Sequence, residues 1–93
     1  MIKSFADNET EKIYRRNYSK KFPEEIQRRA YRKLLQIDLM TELKELQSPP
    51  GNRLEKLKAD RKGQHSICIN QQWRICFKWQ EGDAFDVEIV DYH

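Results

Sequence analysis

The sequence has 93 residues, a length that predicts one domain over residues 1–93. Charged residues make up 35% of it and apolar residues only 38%, yet the 11% of aromatic residues argues against intrinsic disorder. Two cysteines and two histidines are too few for a disulfide scaffold, and their spacing predicts no metal site, so we expect no cofactor. Because the sequence has no long apolar run and no apolar segment near Met1, we expect a cytoplasmic protein without a membrane span or secretory signal.

The first half of the sequence predicts two or three helices after a short strand at residues 1–5. Asp7 is a typical N-cap residue for a helix over residues 8–16. A second helix begins near Pro23 and has one apolar stripe at helical spacing. The stripe consists of Ile26, Ala30, Leu34 and Ile37. A short third helix begins at Thr41 and ends before two successive prolines, because prolines cannot continue a helix.

The second half alternates apolar and polar residues with a period of two, which predicts three strands in an antiparallel meander. Placing the apolar residues on one face fixes the expected register. The inferred apolar partners are Ile69 with Ile75 and Ile67 with Phe77, then Phe77 with Val87 and Ile75 with Ile89. On the polar face, the same register pairs Cys68 with Cys76, Asn70 with Arg74 and Lys78 with Asp86. The two to three helices, packed on the apolar face of this small antiparallel sheet, complete an α+β fold.

Arg74 is predicted to lie in the middle of a strand on the polar face, flanked by Trp73 and Ile75. A guanidinium there can bind a phosphate through two nitrogens and stabilise the charge that develops in phosphoryl transfer. The alternative is an ordinary surface arginine paired with Glu88. The two cysteines of this face are expected to remain reduced thiols.

The net charge of +3 conceals an uneven distribution along the second half of the chain. Between Arg53 and Lys78 there are seven basic residues and two acidic ones, whereas residues 81–91 hold five acids and no base. The basic stretch predicts contacts with the phosphates of a nucleic acid, and a solvated surface is the alternative. The candidate phosphate-binding residues are Arg53, Lys56, Lys58, Arg61, Lys62 and Lys78.

The sequence ends in three polar side chains, Asp91, Tyr92 and His93. Histidine is the side chain best suited to general acid/base chemistry near neutral pH, although a terminal histidine can also be a mobile tail residue. His65 is a second candidate acid/base group, and an inert surface histidine is the alternative. The end of the chain is therefore a candidate catalytic segment.

Five segments, taken in order, resemble the HigB branch of the RelE/ParE toxin superfamily. They are MIKSF at residues 1–5, PPGNRL at 49–54, DRKGQHSI at 60–67, WRI at 73–75 and VEIVDYH at 87–93. The resemblance extends over essentially the whole chain and implies a microbial-ribonuclease-like fold. It also implies a toxin of a type II toxin–antitoxin system that cleaves translated mRNA at the ribosome, without a metal, and so inhibits translation.

The resemblance assigns roles to residues only at matching positions. The positions that match the family's catalytic residues are Arg74, Asp91, Tyr92 and His93. Among them, Arg74 resembles the residue that stabilises the phosphate. The basic residues after Pro50 match a region that faces ribosomal RNA and mRNA. The implied partners are the ribosome, mRNA and a helix-turn-helix antitoxin of the HigA type. The toxin would be connected to operator DNA only through this antitoxin.

One position departs from the family pattern. Some HigB toxins carry a second active-site histidine where this sequence has Glu55. Glu55 or His65 can therefore be the additional acid/base group, or neither of them is. Two other functions stay open: a ParE-like DNA gyrase poison, against which the catalytic ending argues, and a non-catalytic RNA-binding or antitoxin-binding module.

Overall fold

The computed structural model describes residues 1–91, so Tyr92 and His93 lie outside the described residues. The helices and strands are α1 (Asn8–Tyr14), α2 (Glu24–Leu39), β1 (Glu55–Lys56), β2 (Gln64–Cys68), β3 (Trp73–Gln80) and β4 (Asp83–Asp91). The strands form one sheet in the order β1-β2-β3-β4, and neighbouring strands are antiparallel. The predicted α+β fold is confirmed. No helix among residues 1–91 is long and apolar enough to cross a bilayer.

The first helix begins where the sequence predicts, because Asp7 caps it. The Asp7 carboxylate accepts hydrogen bonds from the backbone N–H of Thr10 at 2.6 Å and from the Thr10 hydroxyl at 3.1 Å. Thr10 is fully buried, and its Oγ1 accepts a hydrogen bond from the backbone N–H of Ile89 at 3.0 Å. The cap therefore joins the start of α1 to β4. The helix ends at Tyr14, earlier than predicted.

Replacing Asp7 with alanine should lower the free energy of unfolding by about 1 kcal/mol, because an N-cap side chain satisfies backbone donors that the helix leaves unpaired. Asp7→Asn is the matched control, since its side-chain oxygen can still accept from Thr10. Urea denaturation of the three proteins measures the difference. Equal unfolding midpoints for the alanine and asparagine variants would contradict this role of the cap.

The second helix buries its predicted stripe against the sheet, and the stripe is confirmed as core. The buried residues of α2 are Ile26, Ala30, Leu34 and Ile37. The buried side chains that the sheet contributes to the same core include Ile67, Ile75, Phe77, Val87 and Ile89. Trp73 and Trp79 are partly buried against this core, and the Trp73 ring meets the edge of Phe22 at 5.6 Å between ring centroids. One face of the sheet thus packs against the helices. The opposite, polar face carries candidate functional residues.

Two short segments are less regular than predicted. Residues 1–5 run along β4 without forming a strand, and two isolated parallel bridges hold them there. The bridges join Ile2 to Ala84 and Phe5 to Val87. The third predicted helix is a 3₁₀ helix, Leu43–Gln47, preceded by a capping box in which Glu42 and Glu45 accept each other's backbone N–H.

The first hairpin is shifted by two residues from the predicted register. The observed pairs are Ile67 with Ile75, Cys68 with Arg74 and Ser66 with Cys76. The predicted pairs of this hairpin, including Cys68 with Cys76, are wrong because the turn is wider than expected. The Asn70 side-chain oxygen accepts hydrogen bonds from the backbone N–H of Gln72 at 2.8 Å and of Trp73 at 2.7 Å, so Asn70 and Gln72 belong to the turn, which ends where β3 begins at Trp73. A shift of two keeps every side chain on its predicted face but changes its neighbours.

The second hairpin contains a bulge at Asp86, which has a φ of 52°. The pairs on either side of the bulge are Ile75 with Ile89, as predicted, and Lys78 with Phe85. The bulge interrupts the ladder where the sequence aligns Phe77 with Val87. The Asp86 carboxylate nevertheless lies 3.3 Å from Lys78 Nζ, so the predicted contact between these two charges is confirmed although they are not directly opposite.

Candidate functional site

The polar face of the sheet is covered by the segment that connects α2 to β2. After a 3₁₀ turn at Pro50–Asn52, this segment adds the short strand β1 to the edge of β2 and returns through a second turn at Ala59–Arg61. One row of side chains crosses all four strands on this face, because cross-strand partners share a face. The row consists of Glu55, Ser66, Cys76 and Glu88.

Arg74 lies in the neighbouring row, and only 6% of its surface is exposed. Its Nε donates to Ser66 Oγ at 2.9 Å, and its Nη1 donates to Cys68 Sγ at 2.9 Å. Its Nη2 donates to the backbone carbonyl of Arg53 at 3.0 Å and lies 3.8 Å from Oε2 of Glu55. A guanidinium held by fixed acceptors needs no reorganisation when it meets an anion. The guanidinium of Arg74 is therefore held in one orientation.

Arg53 contributes its backbone carbonyl because the chain bends sharply at this residue. Arg53 has φ 46° and ψ 56°, the left-handed region that non-glycine residues adopt only where neighbours enforce it. Asn52 is fully buried, and its side-chain amide donates to the carbonyls of Leu46 at 3.1 Å and Ser48 at 3.2 Å. These hydrogen bonds fix the conformation of the turn. The turn then fixes the position of the Arg53 carbonyl, which accepts a hydrogen bond from Arg74.

The other cations of residues 53–78, called here the basic segment, differ in whether a carboxylate lies close to them. Arg61 Nη1 donates to Glu88 Oε1 at 3.1 Å, so the partner of Glu88 is Arg61 rather than Arg74. Lys78 pairs with Asp86, as described above. Within residues 1–91, no carboxylate lies within 4.0 Å of the remaining candidates, which are Arg53, Lys56, Lys58 and Lys62. Their exposed positive charges are available to an anionic partner.

Both thiols of the polar face are free, and they are not cross-strand partners. Burial raises the pKa of the Cys76 thiol, and the nearby charge of Arg61 offsets part of that effect. Cys68 is partly exposed and belongs to the set of acceptors around Arg74. Across residues 1–91, His, Cys, Asp and Glu side chains form no group of three or more that could hold a metal ion.

His65 lies on the opposite face of the sheet from Arg74. It is directly opposite the buried Phe77, and the two ring centroids are 6.0 Å apart. Burial lowers the pKa of His65, and the charge of Lys56 lowers it further, so the neutral imidazole is favoured. Of the two candidates for an additional acid/base group, the structure brings Glu55 close to Arg74 and leaves His65 on the other side of the sheet.

Asp91 is the last described residue of β4. It lies opposite Trp73, and its Oδ2 accepts a hydrogen bond from Gln72 Nε2 at 3.2 Å. Its register therefore places it on the helix side of the sheet, whereas the preceding residue, Val90, lies directly opposite Arg74. Asp91 therefore lies one residue beyond the row of side chains formed by Cys68, Arg74 and Val90. The remaining C-terminal candidates, outside the described residues, are Tyr92 and His93.

Ser66 and Cys68 were not predicted from the sequence as partners of Arg74. The inferred register placed Asn70 opposite Arg74, and the two-residue shift replaced it with Cys68. A signal for the wider turn was present, because an asparagine side chain often bonds the backbone two residues further along. The hydrogen bond from Arg74 to the Arg53 carbonyl could not be predicted from the sequence in this way, because every residue type has a backbone carbonyl.

Helices on one face of an antiparallel sheet, with a buried arginine and the cations Arg61 and Lys78 on the other, form the arrangement of a RelE-like toxin of a type II toxin–antitoxin system. Within that class, the chain belongs to the HigB-like toxins. The matching family model is described as the RelE-like toxin of type II toxin-antitoxin system HigB, and it matches residues 3–93. Membership of a type II system means that this toxin has a cognate antitoxin.

Two relatives resemble the chain over nearly all of its length. It is 34% identical over 87 residues to Toxin HigB-1 of Vibrio cholerae serotype O1, which covers 92% of each chain. It is also 34% identical over 93 residues to Endoribonuclease HigB of Proteus vulgaris, which covers 100% of each chain. The family and these relatives agree with the resemblance noted in the sequence.

Proposed function

We propose that this toxin is an endoribonuclease that cleaves translated mRNA at the ribosome, without a metal ion, and so inhibits translation. The observation that carries the proposal is the buried guanidinium of Arg74, held by three acceptors beside the Glu55 carboxylate on a basic surface. The name of the Proteus vulgaris relative, an endoribonuclease, supports RNA as the substrate.

Cleavage of RNA without a metal divides into steps that side chains can assist. A base removes the proton from a 2′-hydroxyl, and the 2′-oxygen attacks the adjacent phosphorus. The bond from phosphorus to the 5′-oxygen then breaks, and an acid donates a proton to that oxygen. The products are a 2′,3′-cyclic phosphate and a 5′-hydroxyl. Between these steps, the phosphorane carries extra negative charge that a fixed cation stabilises.

Arg74 is the residue suited to stabilise the phosphorane. Its planar guanidinium offers directional donors that match phosphate oxygens, and burial strengthens its interaction with an anion because less water screens the charge. Ser66, Cys68 and the Arg53 carbonyl keep it in one orientation. Arg74 therefore takes the electrostatic role in the proposed reaction.

The proton-transfer roles are assigned to the end of the chain and to Glu55. His93 transfers a proton because imidazole changes charge near neutral pH. Tyr92 orients or stacks on a base, and Asp91 positions its neighbours. Glu55 is the second acid/base candidate, since its carboxylate is half-exposed and lies 3.8 Å from Arg74 Nη2. His65 does not share this face of the sheet with Arg74.

The basic segment is proposed to bind the phosphates of mRNA and ribosomal RNA. Exposed lysines and arginines displace counterions from a nucleic acid backbone, and this release supplies affinity without sequence readout. The proposed residues are Arg53, Lys56, Lys58, Arg61, Lys62 and Lys78. The proposed antitoxin is a helix-turn-helix protein of the HigA type, which would be the toxin's only connection to operator DNA.

The proposed function is tested by incubating the purified protein with ribosomes that carry a defined mRNA. We expect cleavage within the ribosome-bound codons, no cleavage of the same mRNA without ribosomes, and 5′-hydroxyl ends on the downstream fragments. A chelator selective for transition metals, which leaves ribosomal Mg²⁺ in place, should not slow the reaction. Fragments with 5′-phosphate ends would contradict the proposed chemistry.

The same preparation separates the two other functions. Intact mRNA together with DNA cleavage in the presence of gyrase would indicate a gyrase poison. Salt-dependent RNA binding without any cleaved product would indicate a non-catalytic module. Either result overturns the assignment as an endoribonuclease.

A further inference from the structure

A second basic cleft lies beside the candidate site, between α2 and the turn at Pro50–Asn52. Its volume is about 390 Å³, at the small end of the range for ligand pockets. Three cations of α2 line it together with residues of the turn and of β2. The lining residues used below are Arg29, Arg32, Lys33, Gly51 and Cys68. We refer to it as the α2 cleft.

The positive charge of the α2 cleft is not neutralised within the described part of the chain. No acidic residue lines it, and none of its three cations lies within 4.0 Å of a carboxylate of residues 1–91. Arg29 donates to the backbone carbonyl of Ile69 at 3.2 Å, and Lys33 donates to the side-chain oxygen of Asn52. Both acceptors are neutral, so the two cations are positioned while their charges remain uncompensated.

The pKa of Lys33 reflects both its burial and the uncompensated positive charge of the cleft. Burial lowers the pKa of its ammonium group, and the neighbouring charge of Arg29 lowers it further. The side chain of Arg32 has no hydrogen bond or ion pair with any residue among 1–91, and Arg32 is exposed. An anion in the cleft would relieve the repulsion among the three cations.

The α2 cleft is continuous with the surroundings of Arg74. Cys68 lines the cleft, and its Sγ also accepts the hydrogen bond from Arg74 Nη1 at 2.9 Å. Gly51 also lines the cleft, and it lies two residues along the chain before Arg53, whose carbonyl accepts from Arg74 Nη2. The cleft and the candidate site therefore meet at Cys68.

We propose that the α2 cleft is a second phosphate-binding site, in which Arg29, Arg32 and Lys33 hold an RNA phosphate next to the one at Arg74. The phosphate would belong either to the mRNA strand or to ribosomal RNA, which present the same chemistry. This inference rests on the proposed function for its choice of RNA as the ligand. It extends the RNA-binding surface from the basic segment onto helix α2.

Arg32→Gln is the test variant, because this side chain has no hydrogen bond or ion pair with residues 1–91 to lose. Its matched control is Arg28→Gln, which removes the same charge from an exposed residue of α2 that does not line the cleft. The probe is a short single-stranded RNA with 2′-methoxy groups, which binds but cannot be cleaved. Loss of one phosphate contact should lower the slope of log affinity against log salt by about 0.7 for Arg32→Gln. The slope for Arg28→Gln should stay at the wild-type value.

A second arm measures co-sedimentation of the same proteins with ribosomes. An effect of Arg32→Gln on the short RNA assigns the phosphate to the mRNA strand, and an effect on ribosomes alone assigns it to ribosomal RNA; both support the site. Equal behaviour of the two variants in both arms would overturn it. A protein that does not cleave mRNA but shows the expected difference would retain the site and lose the proposed enzymatic function.

Discussion

Replacing Arg74 with alanine is expected to slow cleavage of ribosome-bound mRNA by a factor of about 10²–10³, the loss typical when one fixed donor to transition-state charge is removed. The guanidinium is almost completely buried and held by three acceptors, so no neighbouring side chain can replace it. The effect should be on the rate at saturating ribosomes, measured in single turnover, because stabilisation of the phosphorane acts in the chemical step.

Arg74→Lys separates this catalytic role from a purely structural one. Lysine retains the charge but lacks the planar set of donors, so the Arg74→Lys variant should also cleave slowly although its net charge is unchanged. Arg61→Ala is the matched comparison on the same face, and it should weaken binding more than it lowers the saturated rate. Urea denaturation shows whether each variant is folded. A folded Arg74→Lys variant that cleaves at the wild-type rate would contradict the assignment.

From the sequence, the faces of the sheet on which the side chains of the first hairpin lie were predicted correctly, but their cross-strand neighbours in that hairpin were not. The contacts of Arg74 show the reason. Alternation with a period of two assigns Arg74 to the polar face whatever the register, because a shift of two residues preserves that face. The identity of the facing residue depends on the width of one turn, and that width is set by the hydrogen bonds that Asn70 Oδ1 accepts from the backbone of Gln72 and Trp73. The apolar pattern contains no information about it.

The strand β1 and the turn before it could not be predicted from the sequence for a different reason. Glu55–Lys56 is too short to show any periodicity, and both residues are exposed. Its position is determined by a buried asparagine, Asn52, and by a left-handed residue, Arg53. Propensity arguments assign neither feature, because tertiary contacts enforce both. Proximity of Glu55 to Arg74 is accordingly a result of the structure alone.

His93→Ala is expected to reduce cleavage by a factor of about 10²–10⁴, the usual contribution of a positioned acid or base. Val90 of β4 lies directly opposite Arg74, and His93 follows Val90 by three positions in the sequence. Single-turnover cleavage measures the loss, and added imidazole should restore part of it.

Two further variants decide how the proton transfers are divided. His65→Ala is the matched control, because this histidine faces Phe77 on the helix side of the sheet, and it should cleave at close to the wild-type rate. Glu55→Gln should be slow if the carboxylate beside Arg74 is the second acid/base group. Undiminished cleavage by His93→Ala would contradict the assignment of His93, and combined with a slow Glu55→Gln it would transfer the proton-transfer role to Glu55.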